Sequence, residues 1–371
     1  MEKVVYVVES FATGVYSLLQ DLCNSVAEDY EVVIIYSLRK RTPQNFKGDF
    51  DSRIKFIEIS MCRGLNPRKN IKSLVQLKRI LKAEQPDIIH LHSSKAGFLG
   101  RFACFANRFD MDKVFYNPHG FSFLQTNESK FKRKIFYGLE WFANKLGGHI
   151  VACSKGEFEE ALKISKKCIK INNGIDTSKI DEVISENNLN EFRIKNNNKH
   201  KKLKIGTVGR ISYQKNPELF NEIAKYFRHY DFLWIGDGEL IEKLTADNIK
   251  ITGWTERKQV VKELIDIDIF ILASLWEGLP ISLLEAMYIG KPSVVSNVIG
   301  NKDVVRHNFN GYIANNLSEF IHEIKHITSN NIILDTEFVN RVRASVLDEY
   351  DKNRMVKKYV YEYELTNKEH Y

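Results

Sequence analysis

The densest chemical signal in this chain is a pair of carboxylates, Glu277 and Glu285, in the run Trp276-Glu-Gly-Leu-Pro-Ile-Ser-Leu-Leu-Glu285. Ionised carboxylates accept hydrogen bonds from hydroxyls, so two of them around a Gly278-Leu279-Pro280-Ile281 turn suit a polyhydroxyl ligand. A second reading stands beside it. Ser282 and Glu285 have the spacing of a capping box, which would make Glu285 a helix cap and Glu277 a loop acid. Two cations form the next cluster, in Gly209-Arg210-Ile-Ser-Tyr-Gln-Lys215-Asn216-Pro217. Arg210 offers a planar fork and Lys215 a point charge, a combination that suits a diphosphate. Asn216 and Pro217 read as the N-cap and first position of a helix. Cations beside a helix N-terminus oppose its dipole unless an anion sits there too.

Other signals are shorter. Gly236-Asp-Gly238 after a strand lets a backbone approach a ligand, and Asp237 equally fits a cap over Glu239–Thr245. Gly253-Trp254 closes another strand, where it either presents backbone to a base or packs Trp254 inward. Gly14 lies at the start of the first helix, whose N-terminus favours anions. His119, in Asn117-Pro-His-Gly120, follows a strand as a donor, an acid or a turn residue. His90 and His92 read as structural. No His-x-x-x-His spacing or Asp/Glu/His cluster occurs, so no metal and no other cofactor is expected.

These residues need a scaffold that brings strand ends together. The first half alternates strand-like runs (Val4–Val8, Val32–Tyr36, Ile54–Ile59, Asp87–Leu91, Val114–Asn117, Ile150–Cys153) with helical patterns. A second alternation opens at Leu203, and its run Ile267–Leu272 reads as the buried strand before Glu277. Strands alternating with helices predict parallel sheets covered on both faces. Two doubly wound domains in tandem are therefore expected, with ligands at the carboxyl ends of the strands and in the cleft between them. The expected division is 1–176 for the first domain and 177–349 for the second. A polar linker at 177–202, with some helix around Ile180–Arg193, enters the second domain. A C-terminal helix at about 350–371 is expected to pack back on the first.

Composition narrows the class. The 371 residues, 43% hydrophobic and 12% aromatic, exclude a globally disordered chain. No apolar run is long enough to span a membrane, and the start of the chain is too strand-like for a signal peptide. Five scattered cysteines without Cys-x-x-Cys spacing read as reduced thiols in a cytoplasmic protein. The net charge of +8 concentrates in the first half, at Arg39–Arg41, Arg68-Lys69, Lys78-Arg79 and Lys130–Lys134. No nucleic-acid motif accompanies it. Ser129–Lys145 mixes Lys130, Lys132, Arg133 and Lys134 with Phe131, Ile135, Phe136, Tyr137, Trp141 and Phe142. It suits an anionic membrane surface, although most of its apolar residues are expected to face the core.

Taken in order, Gly209-Arg210…Lys215-Asn-Pro217, Gly236-Asp-Gly238, Gly253-Trp254, Glu277-Gly-Leu-Pro…Glu285-Ala-Met287 and Gly290-Lys-Pro292 resemble the family 4 glycosyltransferases. Asn308-Phe-Asn-Gly311, Pro118-His119-Gly120, Ser154 and Asn173-Gly174-Ile-Asp176 extend the likeness over nearly the whole chain. The resemblance implies the GT-B fold of two Rossmann-like domains and a retaining, metal-independent transfer from a nucleotide sugar. A UDP-sugar is expected, N-acetylhexosamines included, with a lipid-diphosphate-linked glycan of a surface polysaccharide as acceptor. It implies that Arg210 and Lys215 hold the diphosphate and Glu285 the ribose. Glu277, with the backbone of Gly278–Ile281, would hold the sugar, which His119 contacts. Gly253-Trp254 would border the base, and the Gly14 loop would cover the phosphates. Two elements depart from the family pattern: Thr13-Gly14 replaces a Gly-Gly pair, and Ile299-Gly300-Asn301 replaces another. A nucleotide-sugar epimerase and a non-catalytic partner subunit remain the alternatives.

Overall fold

The computed structural model describes residues 1–39, 41–62, 64, 66–186 and 202–368. Lys40 of the first basic cluster and the 187–201 part of the expected linker lie outside them. The described chain divides into two compact units. One holds Met1–Gly174 and the chain from Lys352 onward; the other holds Ile175–Asp351.

The first unit carries seven parallel strands: β1 (Lys3–Val8), β2 (Glu31–Tyr36), β3 (Lys55–Glu58), β4 (Ile88–His92), β5 (Val114–Asn117), β6 (His149–Ala152) and β7 (Cys168–Lys170). Their order is 3-2-1-4-5-6-7. The helices are α1 (Thr13–Val26), α2 (Pro67–Glu84), α3 (Ser94–Ala106), α4 (Lys130–Asn144) and α5 (Lys155–Leu162). The buried run of β1 shows why both faces are covered. Val4, Tyr6 and Val8 enter one core with α1, while Val5 and Val7 enter the other with residues of α2 and α3. Strand β7 was not expected, because Cys-Ile-Lys is too short to show an alternation. It pairs only with β6, and an edge strand tolerates lysine.

The second unit carries α6 (Thr177–Glu186) and six parallel strands: β8 (Lys204–Val208), β9 (Asp231–Ile235), β10 (Ile249–Ile251), β11 (Ile269–Leu272), β12 (Ser293–Ser296) and β13 (Tyr312–Ala314). The order is 10-9-8-11-12-13. Its further helices are α7 (Pro217–Tyr226), α8 (Arg257–Asp266), α9 (Ile281–Tyr288), α10 (Asn301–Val304), α11 (Leu317–Ser329) and α12 (Thr336–Leu347). The doubly wound α/β expectation is met in both sheets. Each order reverses direction, at β1/β4 and at β8/β11, and such switch points open the crevices in which these sheets bind ligands.

The helix expected within the linker, around Ile180–Arg193, appears over its described part as α6, with Ile180 and Val183 buried and Asp181 bonded by Tyr288 and Arg343. One expectation fails in this unit. The helix expected over Glu239–Thr245 shrinks to a 3₁₀ turn at Ile241–Lys243. Its backbone is taken elsewhere: the Leu240 N–H donates to the Ile211 carbonyl, and Asn221 accepts from the Thr245 and Ala246 N–H groups.

The last helix, α13 (Lys352–Lys368), returns to the first unit. It buries Met355, Tyr359 and Tyr363 in the core beside Val4, Tyr6 and α1.

Candidate functional site

The β8/β11 switch point gathers the charged residues of the second unit. Strand β8 ends at Val208, and Gly209, with φ +150°, turns the chain into Arg210. A 3₁₀ turn at Tyr213–Lys215 follows. Asn216, in the left-handed region at φ +53°, then caps α7 by accepting from the Leu219 N–H at 3.4 Å. Strand β11 delivers Glu277 to the same edge. Lys215 Nζ lies 2.6 Å from Glu277 Oε1, with both side chains largely buried. Gln214 completes the link: its amide donates to the Trp276 carbonyl at 2.9 Å and to Glu277 Oε2 at 3.3 Å. Its own carbonyl accepts from the Leu275 N–H at 2.8 Å. The sequence reading missed Gln214, for which adjacency to Lys215 was the available signal.

Arg210 takes a different partner, with Nε 2.8 Å from Glu239 Oε2 in a half-exposed pair. Glu285 sits on α9 and is only 1% exposed, yet it is ionically paired with Arg257 at the start of α8. The capping-box reading is thereby corrected. Helix α9 begins at Ile281 after Pro280, so Ser282 is its second residue, and no side chain caps the helix. Glu285 lies a turn inside, too far along to reach back to the first N–H groups. The N-terminus of α9 has no side-chain cap, and its dipole favours an anion or a hydroxyl at this end.

The glycines around the site serve backbone packing. A Cβ on Gly236 would fall 2.3 Å from the Gly209 carbonyl, and one on Gly238 would fall 2.0 Å from that of Ile211. Gly236-Asp-Gly238 thus presses against the Arg210 loop, and the Asp237 carbonyl accepts from the Ile211 N–H there. Gly300 approaches Gly278 in the same way, at 2.5 Å from its carbonyl to an added Cβ. Gly253 has φ +76° with open space around it. Trp254 beside it is 53% exposed, which rules out the inward-packing reading.

In the first unit, Gly14 is exposed in the first turn of α1, after Thr13 at φ +52° and without a side-chain cap. His119 follows β5 at φ +53°, in the turn closed by Gly120. The Gly120 N–H donates to Glu157 at 2.6 Å. Nε2 of His119 is 2.9 Å from Nδ1 of His92, and the two rings stack with centroids 5.2 Å apart. Behind them, His90 Nε2 is 2.5 Å from Asn117 Oδ1, and its Nδ1 is 2.5 Å from the Tyr363 hydroxyl. Asn117 in turn donates to Tyr359 at 3.0 Å. Since Oδ1 only accepts, His90 carries its proton on Nε2 and Tyr363 donates to Nδ1. Burial holds His90 down to about 3 and His119 to about 4, so both rings are neutral at ordinary pH.

Helix α4 inverts the expected arrangement. Glu140 points inward and pairs with buried Arg101 at 2.9 Å, and Arg133 donates to the Phe123 carbonyl. Phe136 and Tyr137 pack on the core. Phe131 is 75% and Phe142 52% exposed, and Ile135 and Trp141 are exposed with them. Lys130, Lys134 and Lys145 share that outward face. Among the described residues, no group of three or more His, Cys, Asp or Glu is placed to hold a metal ion, and no helix is long and apolar enough to cross a membrane.

Comparison with known proteins agrees with the fold. Residues 12–179 match the model described as Glycosyltransferase Family 4, and residues 189–345 match Glycosyl transferases group 1. The UDP-Gal:alpha-D-GlcNAc-diphosphoundecaprenol alpha-1,3-galactosyltransferase of Escherichia coli is 34% identical over 76% of this chain and 77% of its own. The N,N'-diacetylbacillosaminyl-diphospho-undecaprenol alpha-1,3-N-acetylgalactosaminyltransferase of Campylobacter jejuni is 27% identical over 84% of this chain and 85% of its own. Among solved structures, Anabaena HepE in complex with UDP and glucose superposes with a TM-score of 0.74 at 16% identity, covering 97% of this chain and 98% of that one. Sucrose-phosphate synthase from Thermosynechococcus elongatus reaches 0.80 at 14% identity, covering 98% and 99%.

Proposed function

Because the chain belongs to glycosyltransferase family 4, we propose that it moves a sugar from a UDP-sugar to a lipid-diphosphate-linked glycan during surface polysaccharide synthesis. The observation that carries this reading is the Lys215–Glu277 pair at the β8/β11 switch point, with the uncapped end of α9 beside it. A diphosphate arriving there would draw Lys215 and Arg210 away from Glu277 and Glu239. Glu277 would then be free to accept from hydroxyls of the donor sugar. Glu285, held in place by Arg257, would accept from the ribose, and exposed Trp254 would border the base.

Cleavage of the sugar–phosphate bond builds negative charge on the leaving diphosphate and positive charge on the sugar. Two cations and the α9 dipole would stabilise the first, and the Glu277 carboxylate the second. This charge balance is complete without a metal ion, so the proposed transfer is metal-independent. Retention of configuration follows the family, with the leaving phosphate assisting attack on the face it vacates. Donor relatives of both kinds, galactosyl and N-acetylgalactosaminyl, leave hexose and N-acetylhexosamine as the two donor classes to compare.

The outward face of α4 fits an anionic membrane surface. Lys130, Lys134 and Lys145 would meet headgroups while Phe131, Trp141 and Phe142 enter the interface. Such seating would bring the first unit to a lipid-borne acceptor.

A panel of UDP-sugars incubated with an undecaprenyl-diphosphate-linked sugar, with and without EDTA, tests the reading. UDP release coupled to a mass increase of one hexose or N-acetylhexosamine on the acceptor is the expected result. Acceptor-independent interconversion of the donor sugar would replace transfer by epimerisation, and failure to bind any nucleotide sugar would favour a non-catalytic subunit.

A further inference from the structure

The first unit contains a buried ring whose nitrogen is left over. His92 is fully buried, its Nδ1 is bonded to Nε2 of His119, and its own Nε2 has no partner. It lies in a stack with His90, at 4.2 Å between ring centroids, and Tyr6, at 5.8 Å. Neither neighbour turns a polar group to that nitrogen.

Both rings of the His92–His119 pair are neutral, since burial also pushes His92 well below the ordinary histidine value. Each ring therefore carries one proton, and the bond between them allows two arrangements. In the first, His119 donates, and His92 must place its own proton on the buried, unpartnered Nε2. In the second, His92 donates, and its Nε2 keeps only an unused lone pair. Orphaned buried N–H groups are rarer in folded proteins than under-used acceptors, because an unmet donor forfeits a full hydrogen bond. The second arrangement wins.

We infer that His92 is a positioning residue for His119. Its Nδ1–H donates to Nε2 of His119, which leaves the single proton of His119 on Nδ1. His119 is only partly buried, so this N–H is no buried orphan; it has no partner among the described residues, and His119 presents a hydrogen-bond donor. It does not present a base. Resting on the proposed transfer, the donor would serve a sugar hydroxyl or a phosphate oxygen, both of which accept. The left-handed backbone at His119 and the Gly120–Glu157 bond hold the ring against His92 rather than leaving it free to turn.

The test uses the full chain with ¹⁵N-labelled histidine. Long-range ¹H–¹⁵N spectra at neutral pH report which nitrogen of His119 is protonated, with His119→Asn identifying the signals. The expected result is a protonated Nδ1 and a bare Nε2. In His92→Leu the tautomer should move toward Nε2–H, and kcat should fall about tenfold with little change in donor KM, as for one lost transition-state hydrogen bond. His92→Asn should restore both, because its amide can donate from nearly the position of Nδ1. Thermal melting of all variants checks that they fold. A proton on Nε2 of His119 in the parent protein overturns the inference, as does a His92→Leu variant with unchanged tautomer and turnover. Failure of the transfer reading looks different: the parent protein would show no sugar transfer to the acceptor while its His119 tautomer stayed as inferred.

Discussion

The two switch points of this protein solve the same problem with opposite materials. At β8/β11 the functional candidates are charges held in pairs: Lys215 with Glu277, Arg210 with Glu239, and Arg257 with Glu285. On β4 and β5 of the first unit, with α13 behind them, they are neutral rings and hydroxyls, locked through His92, His90, Asn117, Tyr359 and Tyr363. An ion pair can exchange partners when a ligand anion takes the place of the carboxylate on the same cation. A buried neutral network has no such exchange available, because each lost bond leaves a desolvated group behind. The charges of the second unit suit the proposed charged ligand, and the network of the first holds one ring still.

The sharpest way to break this contrast is Lys215→Ala. It should lower kcat/KM by roughly 10²–10³, the usual loss for a group that stabilises developing charge. The histidine signals of the first unit should not move. A loss of activity accompanied by shifts at His90 or His119 would mean that the two regions are not separate devices. Glu285→Ala comes next, with an expected rise of about tenfold in donor KM, or about 1.4 kcal/mol. Unchanged turnover with a lower melting temperature would reduce Glu285 to a partner for Arg257.

Tyr363→Phe probes the neutral side. It removes the hydroxyl that donates to Nδ1 of His90 and should cost roughly 1–3 kcal/mol of stability. Hydrogen-exchange mass spectrometry should place that loss in the first unit and α13, leaving donor binding unaltered. A last test sharpens the comparison through pH. Unfolded histidines titrate near 6.5, whereas burial lowers His90 to about 3 and His119 to about 4. Below pH 6.5 the unfolded chain binds protons that the folded chain refuses. Stability of the first unit is therefore full above that pH and is lost as pH falls toward 4, by roughly one kcal/mol per pH unit per histidine. Exchange protection that stayed flat in β4 and β5 from pH 7.5 to 5 would contradict it.

Much of the frame was legible because alternation and strand-end position are local signals. Val114–Asn117 and Ser293–Ser296 appear as read. Arg210, Lys215 and Glu277 come to one sheet edge because the residues before them, Lys204–Val208 and Ile269–Leu272, are buried strands. What stayed hidden depends on distant partners. Nothing local to Ser282-Leu-Leu-Glu285 reveals that Arg257 will claim the carboxylate. Nothing near His90 announces a hydroxyl 273 positions away. The outward aromatics of α4 were misread for a related reason. A helix is normally sided by its apolar stripe, but here buried Arg101 draws Glu140 inward and turns the rings out.

The route of the chain has a further consequence. The second unit is inserted whole between Gly174 and Lys352, so the ribosome completes it before delivering the tyrosines that finish the first. Domains fold largely as they are synthesised. During that interval the nascent first sheet has His90 without the Tyr363 hydroxyl, and the core around Tyr6 and α1 lacks its covering helix. The second unit is then the more mature of the two, although it is encoded later. A nascent first unit in this condition would present an uncovered apolar face, and chaperone dependence would be expected to fall on the half of the protein that is made first.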